Sequence, residues 1–198
     1  KGFSDGEAYN TADFQHTYSS VGSYPVNVSI ENSLGCVASA DLTDIIVTEF
    51  PALTSPLNPN TICSGSIFNY TPVSSISGST FSWVRLVNPD IIEAVSNGVG
   101  DISEMLTSTS ASNVSVTYEV TNTSPDGCVN TQNVVLTVQP LPTVSVDDID
   151  ICTGQSGTLT ATPSQGGGVY SWTPSGSTQS ISVTTAGLYT VSYSVGSC

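Results

Sequence analysis

The feature that most constrains this chain is that it repeats itself. Ile62-Cys63-Ser64-Gly65 returns as Ile151-Cys152-Thr153-Gly154, and from each cysteine twenty residues lead to a tryptophan, 63 to 83 and 152 to 172. A second signature occurs three times. "VGSYPVNVSIENSLGC" puts Tyr24, Val26, Val28 and Ile30 on one side of a strand; "NVSVTYEVTNTSPDGC" does the same with Val114, Val116, Tyr118 and Val120, and "AGLYTVSYSVGSC" with Tyr189, Val191, Tyr193 and Val195. Strict period-2 alternation is the pattern of half-buried antiparallel strands. Each copy ends in a turn and a cysteine: Cys36, Cys128 and Cys198.

The segments after Cys36 and Cys128 also match, each closing on an apolar strand and then prolines. Proline cannot donate to a strand ladder and stiffens a connection. Pro51 and the Pro140/Pro142 pair therefore mark boundaries, giving units 1–50, 51–140 and 141–198. The first is expected to lack its beginning and the third its last strand. The fold class expected is all-β, in tandem antiparallel β-sandwich modules with no helix beyond about two turns. The short connection "VQPLPT" is expected to bend less than the longer "EFPALTSPLNPNT".

Units two and three each hold a leading and a closing cysteine, which predicts the disulfides Cys63–Cys128 and Cys152–Cys198. Cys36 is a closing cysteine, so its partner is expected upstream of Lys1. The alternative is five buried free thiols. Disulfides persist outside a reducing cytosol. A zinc site is disfavoured, because there is no Cys-x-x-Cys pair and His16 is the only histidine.

Sixteen acidic residues stand against two basic ones, Lys1 and Arg85, for a formal charge of −14. Phosphate backbones bind through lysine and arginine, so nucleic acid is excluded as a partner, and anionic membrane surfaces by the same sign. No apolar run approaches the ~20 residues that span a bilayer. Only 9% of residues are charged. Surface polarity must come from hydroxyls and amides, as suits a secreted β-protein.

Candidate chemistry is thin. A Ser-His-Asp triad needs a base, and units two and three contain no histidine. Glycoside hydrolysis needs two carboxyls across a cleft. Asp5 and Glu7 adjoin a turn, Asp90 and Glu93 flank two isoleucines, and Asp101 and Glu104 are spaced to fit one helical turn with a solvated outer face. The glycines 166–168 lack a following helix and a lysine, and read as a turn. Trp83 and Trp172 are expected in cores. Asn27, Asn69, Asn113 and Asn122 head Asn-x-Ser/Thr sequons. Asp147, Asp148 and Asp150 are expected on the leading strand of unit three, with Asp148 and Asp150 on one face, as a solvated acidic edge with too few oxygens for calcium. No catalytic, cofactor-binding or metal-binding residue is expected.

Residues 3–36 resemble the PKD domain through Phe3-Ser4-Asp5-Gly6 and His16-Thr17-Tyr18, followed by Gly22 and Tyr24, although Ser4 replaces a usual glycine and Lys1 a usual tryptophan. Unit two resembles the PKD-like modules of Bacteroidetes surface proteins through "FSWVRL", "GVGDISEML" and "VVLTVQPLP". Unit three resembles their Ig-like repeats through "TLTATPSQGGGVYSWTPSGSTQSISVTTAGLYTVSYSV". The resemblance implies a non-catalytic structural or adhesive segment of a large cell-surface adhesin or filament, exported by the type 9 secretion system, of the gliding-motility kind. It implies an extracellular, cell-surface location. Expected partners are neighbouring modules of the same chain, with surface polysaccharide or the secretion and motility machinery. The alternative is a carbohydrate-binding or spacer module appended to a secreted hydrolase or protease.

Overall fold

The computed structural model describes residues 2–3 and 15–198, and among these every regular element is a strand. The first group is β1 (Gly2–Phe3), β2 (Gly22–Tyr24), β3 (Val26–Glu31), β4 (Val37–Asp41) and β5 (Ile45–Val47). The second is β6 (Ile62–Cys63), β7 (Ser66–Tyr70), β8 (Thr80–Arg85), β9 (Asn97–Val99), β10 (Ile102–Leu106), β11 (Val114–Thr123) and β12 (Val129–Gln139). The third is β13 (Val144–Val146), β14 (Gly157–Pro163), β15 (Val169–Thr173), β16 (Ser180–Val183) and β17 (Thr190–Ser194). Among the described residues every strand pairing falls within one group, giving sheets β1-β3-β4 and β2-β5, then β6-β12-β11-β8-β9 and β10-β7, then β13-β14-β16 and β15-β17. The protein is all-β, a series of sandwiches that are antiparallel among the described residues except where β6 pairs parallel with β12.

The second unit shows why. In β11 the alternation buries Val114, Val116, Tyr118 and Val120, and across the ladder Val138, Leu136 and Val134 face the same way. Directly opposed side chains of this kind are what stabilises a sheet. Phe68 and Tyr70 from β7, and Ile102 and Leu106 from β10, close the core from the other sheet. Tyr118 sits at its centre, 5.4 Å from the Phe68 ring and edge-on to Trp83 at 5.8 Å. The third unit repeats this on a smaller scale around Leu159, Ala161, Trp172 and Val183. In the first unit Val26 is the buried apolar residue among those described.

Three expectations need correction. Residues 102–106 are strand β10, not a helical turn, because their ladder with β7 runs unbroken from Ile102↔Tyr70 to Leu106↔Ser66. The leading strand of the third unit stops at Val146, so Asp147, Asp148 and Asp150 lie in exposed coil and share no strand face. The alternation of β3 does not bury Ile30, which is 70% exposed.

The connection after β5 is also shorter than it reads. Pro51 is fully buried and Leu53 belongs to the second core. Thr54 N donates to Val73 O at 2.8 Å, Leu53 N to Gln132 Oε1 at 2.7 Å, and Val135 N to Leu57 O at 2.8 Å. Residues 51–57 are thus fixed to the second unit.

Gly98 pairs directly with Trp83 across β8 and β9, and a Cβ there would stand 2.6 Å from the indole Cζ2. Only glycine lets this ring lie against the strand. G98A should lower stability by ~1–3 kcal/mol, the usual cost of overpacking, read as a drop in the thermal midpoint. An unchanged midpoint would mean the indole has room to move.

Candidate functional site

The chemistry-bearing side chains gather in two kinds of place: one buried charge cluster and the joints between units. In the cluster, Arg85 follows Trp83 by two on β8 and so points inward, opposite Tyr118. It is 1% exposed. Its guanidinium donates to Glu93 O at 2.9 Å and to Ala94 O, and its Nε lies 3.4 Å from Glu104 Oε2. Glu104, 14% exposed, also accepts from Tyr118 Oη at 2.7 Å and from Ser96 Oγ. Glu93 accepts from Thr107 N at 2.8 Å.

Burial pushes the Tyr118 phenol far above its ordinary range, and its hydrogen bond to Glu104 and that group's charge push the same way. Burial tends to raise the Glu93 carboxyl, but hydrogen bonds from Thr107 and the Arg85 charge outweigh it and hold the group below its usual value. Every member is engaged by a neighbour. The cluster ties the loop between β8 and β9 to both sheets. Sequence reasoning placed Glu104 on a solvated face; it lies inside.

The remaining candidates are scattered. Asp5 and Glu7, with Lys1, Ser4 and Gly6, lie outside the described residues. His16 packs edge-on to Tyr18 at 4.5 Å between ring centroids. Trp83 and Trp172 are buried at 8% and 3% exposure, and Trp172 Nε1 donates to Thr178 O at 2.9 Å. Glycines 166–168 form the turn between β14 and β15. Asn122 is wholly buried and donates to Ser74 Oγ at 2.9 Å, which removes that sequon from any modifying enzyme. Asp147, Asp148 and Asp150 line an open groove of about 460 Å³ with Thr185 and Tyr189. Among the described residues no three His, Cys, Asp or Glu side chains converge where a metal could bind. No described helix is long and apolar enough to cross a membrane.

Four of the five cysteines depart from expectation. Cys63 bonds to Cys198, with Cα atoms 5.5 Å apart, while Cys36, Cys128 and Cys152 are free thiols. Neither Cys63–Cys128 nor Cys152–Cys198 forms, and strand length is the reason. Cys63 pairs with Gln139 at one end of β12, and Cys128 precedes Val129 at the other. Eleven residues at about 3.3 Å each separate them by over ~30 Å, against the ~7 Å a disulfide tolerates. The third unit is built alike. Cys152 leads into the Gly157 end of β14, whereas Cys198 follows β17, whose Ser194 pairs with Val169 just beyond the opposite end of β14.

At the joint of the second and third units the bridge has polar support. Gln139 Nε2 donates to Val195 O at 3.2 Å, and Ser64 N donates to Gln139 O at 2.7 Å. At the joint of the first and second, Thr48 Oγ1 meets Cys128 Sγ at 3.2 Å, and Asn130 Nδ2 donates to Pro51 O at 2.7 Å.

Residues 60–142 match the sequence profile of the PKD-like domain. A comparison with curated proteins finds no match. Among solved structures, the titin domains z1z2 in complex with telethonin share 15% identity, over 77% of this chain and 92% of that one, at a TM-score of 0.30, a likeness that carries no argument.

Two outcomes are expected of the cluster. Removing one partner of a buried ion pair costs ~3–5 kcal/mol, so R85M alone should destabilise strongly, and R85M/E104L should recover part of that loss in chemical denaturation. Glu93 has its pKa depressed on folding, so its contribution is complete above the unfolded value of 4.5 and is lost as pH falls through the folded one. E93Q should flatten the acid limb of the stability profile below that pH and leave its neutral plateau parallel to the parent's.

Proposed function

We propose that this chain is a non-catalytic structural and adhesive segment, a series of β-sandwich units that gives reach and stiffness to a cell-surface fibre. The observation that carries this reading is the Cys63–Cys198 bridge, a covalent tie between successive units. An enzyme gains little from such a bond. A fibre gains resistance to bending and pulling. The PKD-like match at 60–142 fits a spacer or adhesive module, a kind of domain that is typically non-catalytic. The disulfide suits an oxidising, extracellular setting.

The resemblance of the repeats extends this reading to a large Bacteroidetes adhesin of the gliding-motility kind, exported by the type 9 secretion system. Its partners are then neighbouring units and surface polysaccharide or the motility machinery. The sugar-binding alternative loses its main support, since both tryptophans are buried.

Small-angle scattering tests the array. A compact globule of 198 residues has a radius of gyration of about 16 Å. A series of three units should exceed this clearly and give an elongated distance distribution. A value near ~16 Å would overturn the reading.

A further inference from the structure

We propose that the Cys63–Cys198 bridge is one member of a staggered series, in which the leading cysteine of each unit bonds to the closing cysteine of the unit after it. The inference rests on the array reading above and names its covalent rule. The partner is a unit of this same kind on either side. Cys128 takes the leading cysteine of the first unit, Cys152 the closing cysteine of a unit that follows the third, and Cys36 the leading cysteine of a unit that precedes the first.

Two repeated turns carry the inference. The leading turns are built alike: Gly65 and Gly154, each two residues past its cysteine, have φ of 80° and 81°. That left-handed backbone favours glycine. Cys152 therefore enters the same kind of glycine turn as Cys63, although Cys63 lies on β6 against β12 and Cys152 in exposed coil. The closing turns of the first two units share three bonds. Asn32 N donates to Cys36 O, Gly35 N to Asn32 O, and Cys36 N to Asn32 Oδ1. In the second unit Ser124 N donates to Cys128 O, Gly127 N to Ser124 O, and Cys128 N to Ser124 Oγ. Cys198 closes a shorter version through paired bonds with Val195.

The placement at the joints then repeats. The turn that holds Cys198 sits against the end of β12 through Gln139, beside Cys63. The turn that holds Cys128 sits against the end of the first unit through Thr48, just past β5. Strand length keeps the leading and closing cysteines of one unit at opposite ends, so each can reach only a neighbour. Each closure joins two thiols and passes two protons and two electrons to a disulfide oxidant, which leaves as a dithiol.

Alkylation followed by non-reducing digestion and mass mapping tests the rule, on this chain and on the protein with a natural neighbouring unit at each end. In this chain Cys63 and Cys198 should be linked, with Cys36, Cys128 and Cys152 alkylated in full. With neighbours present, Cys128 should lose its alkylation to a link with a cysteine before Lys1, and Cys152 to one after Cys198. C63S should leave Cys198 fully alkylated in this chain. A Cys63–Cys128 or Cys152–Cys198 peptide in any form, or full alkylation of Cys128 beside its neighbours, would overturn the rule. Staggered links in a particle of compact radius would uphold the rule while removing the array reading.

Discussion

The rest of the structure depends on one long hairpin. Strands β11 and β12 run the length of the second unit, pair along ten consecutive positions from Val114↔Val138 to Thr123↔Val129, and bury one face of each. Because the hairpin spans the unit, its turn and its open end lie at opposite poles. The turn carries Cys128 toward the first unit, and the open end carries Gln139 and Cys63 toward the third. The core, the linkers and the disulfide all take their positions from that geometry.

The second constraint is the placement of charge. Arg85 is one of two basic residues in the chain, and the fold spends it inside. Hydrophobic residues of similar volume could fill that space at comparable stability, as buried ion pairs often allow. What Arg85 adds is position: its two bonds to the carbonyls of Glu93 and Ala94 fix a loop that has no strand ladder of its own there. With that cation internal, the acidic residues at the surface stay almost uncompensated. Like charge then opposes side-by-side association of exposed strand edges, while end-to-end contacts remain free to form.

Much of this was legible in the sequence. The period-2 run in "VSVTYEVTN" reads directly as β11, and the twenty-residue offset from Cys63 to Trp83 finds a core indole twice. Strand β10 was not legible in the same way. In "ISEML" the apolar positions 102, 105 and 106 suit a helical turn, and Glu104 looks like its wet side. The inward set is instead 102, 104 and 106, with the carboxylate inside because Arg85 is inside. A signal was present: Arg85 shares the parity of Trp83, and an inward cation demands an inward anion. The disulfide pairing failed for another reason. Counting leading and closing cysteines gives their order along the chain but not the pole of the sandwich each occupies. That needs the strand register, which the sequence supplies only once the ladder of β6 on β12 is known.

The joints complete the mechanical picture. Between the second and third units there are two covalent ties, the chain from Gln139 to Val144 and the Cys63–Cys198 bridge. Two ties at separate points fix an orientation in a way that one flexible strand cannot. Between the first and second units the chain is a single tie, yet it is not the long linker its composition suggests. Pro51 is buried, Leu53 is part of the core, and Leu57 O accepts from Val135 N, so these residues move with the second unit. The free part shrinks to Thr48–Phe50, and Thr48 already touches Cys128. A linker of three residues can swing but cannot separate the units far. The thiol of Cys128 therefore stays at the joint, where a second tie of the kind seen at the other joint would close with little loss of chain entropy.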